Sequence, residues 1–405
     1  MKPLFRQELS ESAFSAGLLD LGAVQPSPDG SQQMHDSLPL LFGRYVGLNG
    51  RVPHIHLGNF PTPVTVHHDI AEYLGAASFH VKHDGLSGEV YGGNKVRKLE
   101  FLFADALAQG RKSVITYGAA GSNHALATAA YAQLLGLSCT NILIPQHNAG
   151  YVRKNLLMSH LSGARLHPCP SPAALGETTE RVVGIIERES GDTPYIIPMG
   201  GTSPVGMIGF INAACELTAQ IDAGEIPSPD LIYVPFGSMG TAAGLAAGCR
   251  ALGLSSRVAG VRVVPGGISN KENMYALIAG TSALLHDIDS SFPRLSGEEC
   301  SIDIRHDYFG EEYALYTREG MRAIAEFHRF LPLPLEGTYT GKTVAAILGD
   351  AADGRLRKKN VLYWHTLNER SYPEELDDMD YHVLPPAFHR YFEGDIQQLE
   401  REDCV

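Results

Sequence analysis

Residues 113 to 144 read SVITYGAAGSNHALATAAYAQLLGLSCTNILI. Residues 113–116 are a short apolar run that ends at Gly118, the Ala-rich stretch 123–136 suits a helix, and 138–144 is a second apolar run. Two strand-type runs joined through a helix cannot form a hairpin. They lie parallel in one sheet, with the helix packed across a face. The alternation continues outward in both directions. Strands are predicted at 77–82, 165–167, 194–198, 231–235, 258–264 and 361–365. A helix is predicted from Lys95 to Gly110, because Leu99, Leu102, Phe103, Ala106 and Leu107 recur at helical spacing. Further helices are predicted near 150–162, 171–189, 205–222, 240–252, 271–285, 317–329 and 342–352. This is the pattern of an α/β protein with parallel sheets and helices on both faces.

The 405 residues are 44% hydrophobic and 19% charged, enough apolar material for a large core and for two or more domains. The net charge of −13 repels nucleic-acid phosphates, and no basic stripe offsets it, so no nucleic-acid partner is expected. No run approaches the roughly 20 apolar residues of a spanning helix, so no membrane association is expected either. Six cysteines, at 139, 169, 215, 249, 300 and 404, make no Cys-x-x-Cys pair and read as reduced, buried thiols of a cytoplasmic protein. Lys2 and Arg6 are followed by Glu8 and Glu11 with no apolar stretch behind them, so no targeting signal is expected. Residues 1–45, rich in Ser, Gly, Pro and Gln around 25–35, read as an extension that is loose or packs on the surface. His67-His68-Asp69 looks like a metal set, but neighbouring strand residues point to opposite faces, so these are read as surface residues and no metal is expected.

Ligands of open parallel sheets sit beyond the carboxyl ends of strands, where loops meet helix N-termini. Three loops there carry chemistry. In Tyr91-Gly92-Gly93-Asn94-Lys95, the glycines let the backbone turn tightly, and Lys95 stands at a helix start. A positive helix end and burial both favour a neutral amine, which forms a Schiff base with an aldehyde. A solvated basic helix start is the plain alternative. In Gly118-Ala119-Ala120-Gly121-Ser122-Asn123-His124, exposed N–H groups at a helix start suit a carboxylate, although Ser122 or Asn123 also serves as an ordinary N-cap. His124 reads as a base, a hydrogen-bond partner or a packed core histidine. In Gly237-Ser238-Met239-Gly240-Thr241, small residues and two hydroxyls suit a phosphate, and a tight loop with no ligand is the alternative.

Taken in order, these motifs resemble the fold type II, tryptophan-synthase-β-like, pyridoxal-phosphate enzymes. Within that class the chain resembles the 1-aminocyclopropane-1-carboxylate deaminase/D-cysteine desulfhydrase family. The matching text, over about residues 55–370, is Phe60-Pro61-Thr62-Pro63, Lys82-His83-Asp84-Gly85-Leu86-Ser87-Gly88, Gly92-Gly93-Asn94-Lys95-x-Arg97-Lys98-Leu99-Glu100 and Gly121-Ser122-Asn123-His124. It continues with Ile197-Pro198-x-Gly200-Gly201-x-Ser203-Pro204-x-Gly206, Gly237-Ser238-x-Gly240-Thr241-x-Ala243-Gly244, Arg318-Glu319-Gly320-Met321, Tyr339-Thr340-Gly341-Lys342 and His365-Thr366.

The resemblance implies two open, twisted, mostly parallel sheets, each covered by helices, with pyridoxal 5′-phosphate in the cleft between two domains. Residues 46–108 plus 201–395 would form the large cofactor-binding domain and 109–200 the small one, with 396–405 as a tail and a homodimer as the assembly. Lys95 would carry the cofactor and move the substrate proton. Gly237, Ser238, Met239, Gly240 and Thr241 would hold the phosphate, Asn123 the cofactor's 3-oxygen, Thr340 the ring nitrogen, and Thr366 would complete the cofactor site. Ser122, Asn123 and His124 would receive the carboxylate of a small amino-acid substrate, with Ser122 assisting proton transfer. Tyr339 would face the substrate, and Tyr308 aligns with a second such tyrosine.

The deaminase branch carries glutamate at position 340 and leucine at 366, whereas the desulfhydrase-like branch carries hydroxyls at both, as here. A neutral partner for the ring nitrogen leaves a weaker electron sink, which suits α-proton removal and β-elimination. The expected reaction is D-cysteine desulfhydrase-like, giving pyruvate, ammonia and the leaving group. The alternatives are ring opening of 1-aminocyclopropane-1-carboxylate, or a specialised biosynthetic β-replacement. Leu367-Asn368 stands where the family has two glycines, Met239 where glycine is common, Glu336-Gly337-Thr338 where an Asp-Pro-Val-like run is typical, and His83 and Gly85 replace Arg and Asp.

Overall fold

The computed structural model describes residues 38–401. Ten strands are described: β1 Val64–Val66, β2 Ser78–His83, β3 Ser113–Ala119, β4 Ser138–Ile144, β5 Arg165–Pro168, β6 Tyr195–Ile197, β7 Leu231–Phe236, β8 Arg257–Arg262, β9 Ile302–Arg305 and β10 Asn360–His365. The helices are α1 Leu40–Arg44, α2 His68–Leu74, α3 Lys95–Ala108, α4 Asn123–Leu134, α5 Gly150–Leu161, α6 Leu175–Ser190, α7 Pro204–Asp222, α8 Gly240–Leu252, α9 Lys271–Ile288, α10 Arg318–His328, α11 Thr340–Ala352, α12 Arg390–Glu393 and α13 Gln398–Arg401.

The strands form a six-stranded sheet, β1-β2-β10-β7-β8-β9, and a four-stranded sheet, β5-β4-β3-β6. Every pairing is parallel except β1 with β2. The opening stretch is the β3-α4-β4 unit, in register from Ser113 opposite Ser138 to Ala119 opposite Ile144. Helices flank both sheets, and the expected α/β architecture is present.

Helix α3 matters most for the site, because Lys95 is its first residue. Its apolar face, including Val96, Leu99, Phe101, Leu102 and Phe103, is fully buried. Each such side chain contributes about 1.5–3 kcal/mol. It packs on α7, which starts cleanly at Pro204 with Ser203 as N-cap. The two helices touch closely because position 209 is glycine: a methyl there would overlap the Arg97 carbonyl. A buried ionic cluster fixes the other side of α3. Arg97 binds Asp84 at 2.8 Å and Glu216 at 2.8 Å, Lys82 binds Glu216, and Trp364 Nε1 donates to Asp84 at 2.7 Å.

The structure differs from expectation in several places. Residues 1–37 lie outside the described residues, but the last part of the supposed extension belongs to the core. Leu41 and Phe42 of α1 are buried with Tyr45, and the Leu41 N–H donates to Asn212 Oδ1 at 3.0 Å. His68 and Asp69 open helix α2 and His67 precedes it, so the strand reading was wrong there. Strands β1 and β9 escaped notice. Leu376, Leu384, Phe388 and Tyr391 share one cluster with Val152 and Leu156 of α5 and with Val96, Leu99 and Leu102 of α3. The described end of the supposed tail is also anchored: Glu400 accepts from the Gly150 N–H at 2.9 Å.

Candidate active site

Strands β3, β4, β7 and β10 all end at one cavity of about 660 Å³ between the two sheets. That is the size and placement of a small-molecule site. It is lined by Lys95, Ser122, Asn123, His124, Gly237, Ser238, Met239, Thr241, Tyr339, Thr340 and Thr366, which the sequence singled out. Gly240 lies just behind the wall, where a methyl would come within 2.7 Å of Lys98 Nζ.

Lys95 is half-buried and opens on this space. Among the described residues its amine has no hydrogen-bond or ion-pair partner. Burial alone lowers its pKa from 10.5 to about 8. One turn later Lys98 is completely buried. Its amine donates to the Gly200 carbonyl at 3.0 Å and to Thr202 Oγ1 at 3.3 Å, and no carboxylate among the described residues faces it. Burial and then the neighbouring Lys95 hold its pKa well below the ordinary value. A buried cation without a counter-charge is costly. Here it stands beside the 237–241 loop, whose Ser238 accepts from Thr202 at 2.7 Å and whose Thr241 Oγ1 accepts from Asn94 Nδ2 at 2.9 Å. Met239 holds φ at +70°, a left-handed conformation that favours glycine.

The 120–124 loop is built to present donors. Ser122 caps α4, its Oγ accepting from the Ala125 N–H at 3.1 Å, and its hydroxyl hydrogen remains available. Asn123 Oδ1 accepts from Tyr91 Oη at 3.0 Å and from Asn155 Nδ2 at 2.8 Å, so its amide N–H₂ is the group left for a ligand. His124 is buried, with Nε2 at 3.0 Å from Thr116 Oγ1. Burial and the two lysines keep its pKa well below the ordinary value, so it is a neutral, packed partner and not a charged one.

On the far wall, Tyr339 hydrogen-bonds Tyr313 through their hydroxyls, and both line the cavity. Burial raises both pKa values, so both are neutral phenols. Tyr308 does not line the cavity. Its hydroxyl lies over Gly349 of α11, nine residues from Thr340 and so about 13 Å along the helix. Tyr313 is the second tyrosine on the cavity wall among the described residues.

Glu336, also lining the cavity, caps α11. Its Oε1 accepts from the N–H groups of Tyr339 at 2.8 Å and Thr340 at 2.9 Å, and its Oε2 from that of Thr338 at 2.7 Å. Asn368, where glycine was expected, uses its Oδ1 to hold the Gly92 N–H at 2.7 Å and so braces the turn that leads to Lys95. Lys98, Tyr313 and Glu336 were not recognised as site residues in the sequence. Of these only Lys98 had a local signal, its place one turn after Lys95.

These residues fit pyridoxal phosphate: an amine whose lowered pKa leaves much of it neutral for the aldehyde, and beside the small-residue loop a buried lysine without a counter-charge, whose protonated form a phosphate would favour. The comparisons agree. D-cysteine desulfhydrase of Klebsiella pneumoniae (strain 342) is 32% identical over 322 residues, covering 78% of this chain and 94% of its own length. The enzyme of the same name from Salmonella typhi is 32% identical over 324 residues, with the same coverage. A crystal structure of an ACC deaminase homologue superposes with a TM-score of 0.68 at 29% identity, over 82% of this chain and 95% of that one. Serine racemase from Dictyostelium discoideum shares the fold, with a TM-score of 0.53 at 17% identity over 77% of this chain and 93% of that one. Residues 55–366 match the model of the pyridoxal-phosphate dependent enzymes, and the chain belongs to that family.

Proposed function

We propose that this enzyme takes the α-proton from a small amino acid and eliminates a substituent from its β-carbon, with D-cysteine as the leading substrate. Water then completes the release: D-cysteine and H₂O give pyruvate, ammonia and H₂S. Pyridoxal phosphate, when bound, supplies the electron sink for the α-carbon. The Lys95 amine takes the α-proton. The Ser122 hydroxyl and the free N–H groups at the start of α4 receive the substrate carboxylate, and Ser122 Oγ is placed to pass a proton. Asn123 offers its amide N–H₂ to the cofactor's 3-oxygen. The 237–241 loop and Lys98 hold the phosphate. Tyr339 and Tyr313 present hydroxyls to the substrate's β-substituent.

The observation that carries elimination over ring opening is the state of Glu336. Among the described residues it is the carboxylate that Thr340 Oγ1 meets, at 3.2 Å, but both its oxygens are already taken by the N–H groups that begin α11. Thr340 is therefore left as the neutral partner of the ring nitrogen. Two D-cysteine desulfhydrases among the relatives point the same way. The deciding experiment incubates holoenzyme with D- and L-cysteine, chloroalanine, cysteate and 1-aminocyclopropane-1-carboxylate and identifies the keto acid. Pyruvate from a β-substituted amino acid supports the proposal. 2-Oxobutyrate from the cyclopropane alone replaces it with ring opening, and no keto acid from any substrate overturns both.

The same reading takes 109–200 as the small domain and 46–108 with 201–395 as the large one, with 396–405 as a tail. It places a homodimer in the cytoplasm. Five free cysteines among the described residues suit a reducing compartment, and no described helix is long and apolar enough to cross a membrane. Sedimentation tests the dimer.

A further inference from the structure

Residues 380–393 lie beyond the stretch that matches the family, and they carry two histidines and a glutamate that the amino-acid chemistry does not use. A ring nitrogen of His382, a ring nitrogen of His389 and a carboxylate oxygen of Glu393 lie within 4.8 Å of one another. Each imidazole already has one nitrogen committed. His389 Nε2 faces the Leu384 carbonyl at 2.9 Å. A carbonyl only accepts, so this nitrogen carries the hydrogen and Nδ1 keeps its lone pair. His382 Nδ1 faces Asp380 Oδ1 at 2.6 Å, which in the same way leaves the lone pair on Nε2. A carbonyl or carboxylate behind each ring is the arrangement that fixes the tautomer of metal-binding histidines.

The rings are also held in place. Tyr381 stacks on His382 at 4.2 Å and on Phe392 at 4.7 Å, and His389 stands edge-on to His382 at 5.2 Å. The backbone beneath is tied to the small sheet's layer, because the Tyr391 carbonyl accepts from Arg153 Nε at 2.7 Å and Asn148 Nδ2 at 3.0 Å. His382 and Glu393 are exposed and His389 is half-buried, so an ion reaches the cluster directly from solvent.

We propose that His382, His389 and Glu393 form a site for one divalent transition-metal ion of the zinc type. Two imidazoles and one carboxylate suit zinc and its neighbours in the series, whereas calcium and magnesium select all-oxygen sets. Ligands of a tetrahedral zinc ion stand about 3.3 Å apart, so the exposed side chains draw together on binding, with water completing the shell. This inference is independent of the reaction at Lys95.

The test titrates holoenzyme with Zn²⁺ against a chromophoric chelator, and with Co²⁺ as a spectroscopic probe. One ion per chain and a tetrahedral Co²⁺ visible spectrum are expected. The double variant His382→Ala/His389→Ala should bind at least about 100-fold more weakly and lose the spectrum. Asp380→Asn removes no proposed ligand, and should bind about 10- to 100-fold more weakly through the freed His382 ring. Cofactor absorbance in each variant reports that the fold is kept. Wild-type enzyme that does not compete with the chelator, or a double variant that binds Zn²⁺ as tightly as wild type, overturns the site.

Discussion

A lysine amine attacks an aldehyde only when neutral, and with a pKa near its usual 10.5 roughly one in a thousand is neutral at pH 7.5. Burial lowers the Lys95 value to about 8, with no partner charge involved. Because the shift is downward, half of the amine is neutral at about pH 8, nearly all of it about one unit higher, and the neutral fraction falls roughly tenfold per unit further below. Cofactor capture by the apoenzyme, followed by absorbance near about 410–420 nm, should therefore rise with pH and level off past a midpoint near 8. A midpoint near 10 would contradict the burial argument, and Lys95→Ala should show no such band at any pH. The tyrosines give a second prediction. Tyr313→Phe and Tyr339→Phe each remove a hydroxyl from the cavity wall and should lower kcat about 100-fold, the lower end of the range of a positioned proton donor. Tyr308→Phe, over Gly349, should leave kcat close to wild type, and a large loss there would return Tyr308 to the site. Lys95, Ser122 and Asn123 were legible because each sits on a strand-to-helix loop at fixed spacing. Tyr308 and Tyr313 were not separable, because they share an irregular loop in which sequence distance says nothing about direction.

Elements were legible in proportion to the length of their apolar pattern. The β3-α4-β4 unit is long and strictly patterned. Strand β1 reads Val-Thr-Val directly after Pro63, whereas the equally short β6 is the apolar run Tyr-Ile-Ile, and β9 interleaves Asp303 and Arg305 with its isoleucines, leaving no apolar run. Helix α1 spans five residues, too few for a periodicity. How closely elements approach was hidden as well. Helices α7 and α8 cross with Gly244 against Phe210 and Gly248 against Ala214, and a methyl at either glycine would overlap its neighbour's Cβ. Gly244→Ala and Gly248→Ala should each cost about 1–3 kcal/mol through overpacking, read as a lower urea midpoint with unchanged slope. Gly209→Ala would press on the Arg97 carbonyl instead, in the turn that follows Lys95. It should therefore also weaken cofactor retention on dialysis, an effect that Gly248→Ala should lack. Equal cofactor loss in both would mean that α3 is not positioned through this contact.

Across the whole molecule, α3 is held by charges drawn from segments that are far apart in the chain. Lys82 comes from the end of β2 and Asp84 from the turn just after it, Arg97 from α3 and Glu216 from α7, with Trp364 of β10 closing the cluster. All are buried. As a sequence, Lys82, Asp84, Arg97 and Glu216 are scattered charged residues, and only the folded chain makes two cations and two anions neutral together. Removing one partner from such a set leaves a buried charge unpaired. Glu216→Gln should cost about 3–5 kcal/mol and loosen Lys95 indirectly, because Arg97 would keep only Asp84. The pH dependence separates this from a simple packing defect. Arg97 and Lys82 outweigh the effect of burial and hold the Glu216 pKa at about 2, below the ordinary 4.5. Its stabilisation is thus complete above pH 4.5 and is lost as pH falls toward 2. The gap in urea midpoint between wild type and Glu216→Gln should be constant from pH 7 to pH 5 and shrink steadily below pH 4.5. A gap that persists unchanged down to pH 3 would show that shape, and not charge, is what Glu216 supplies.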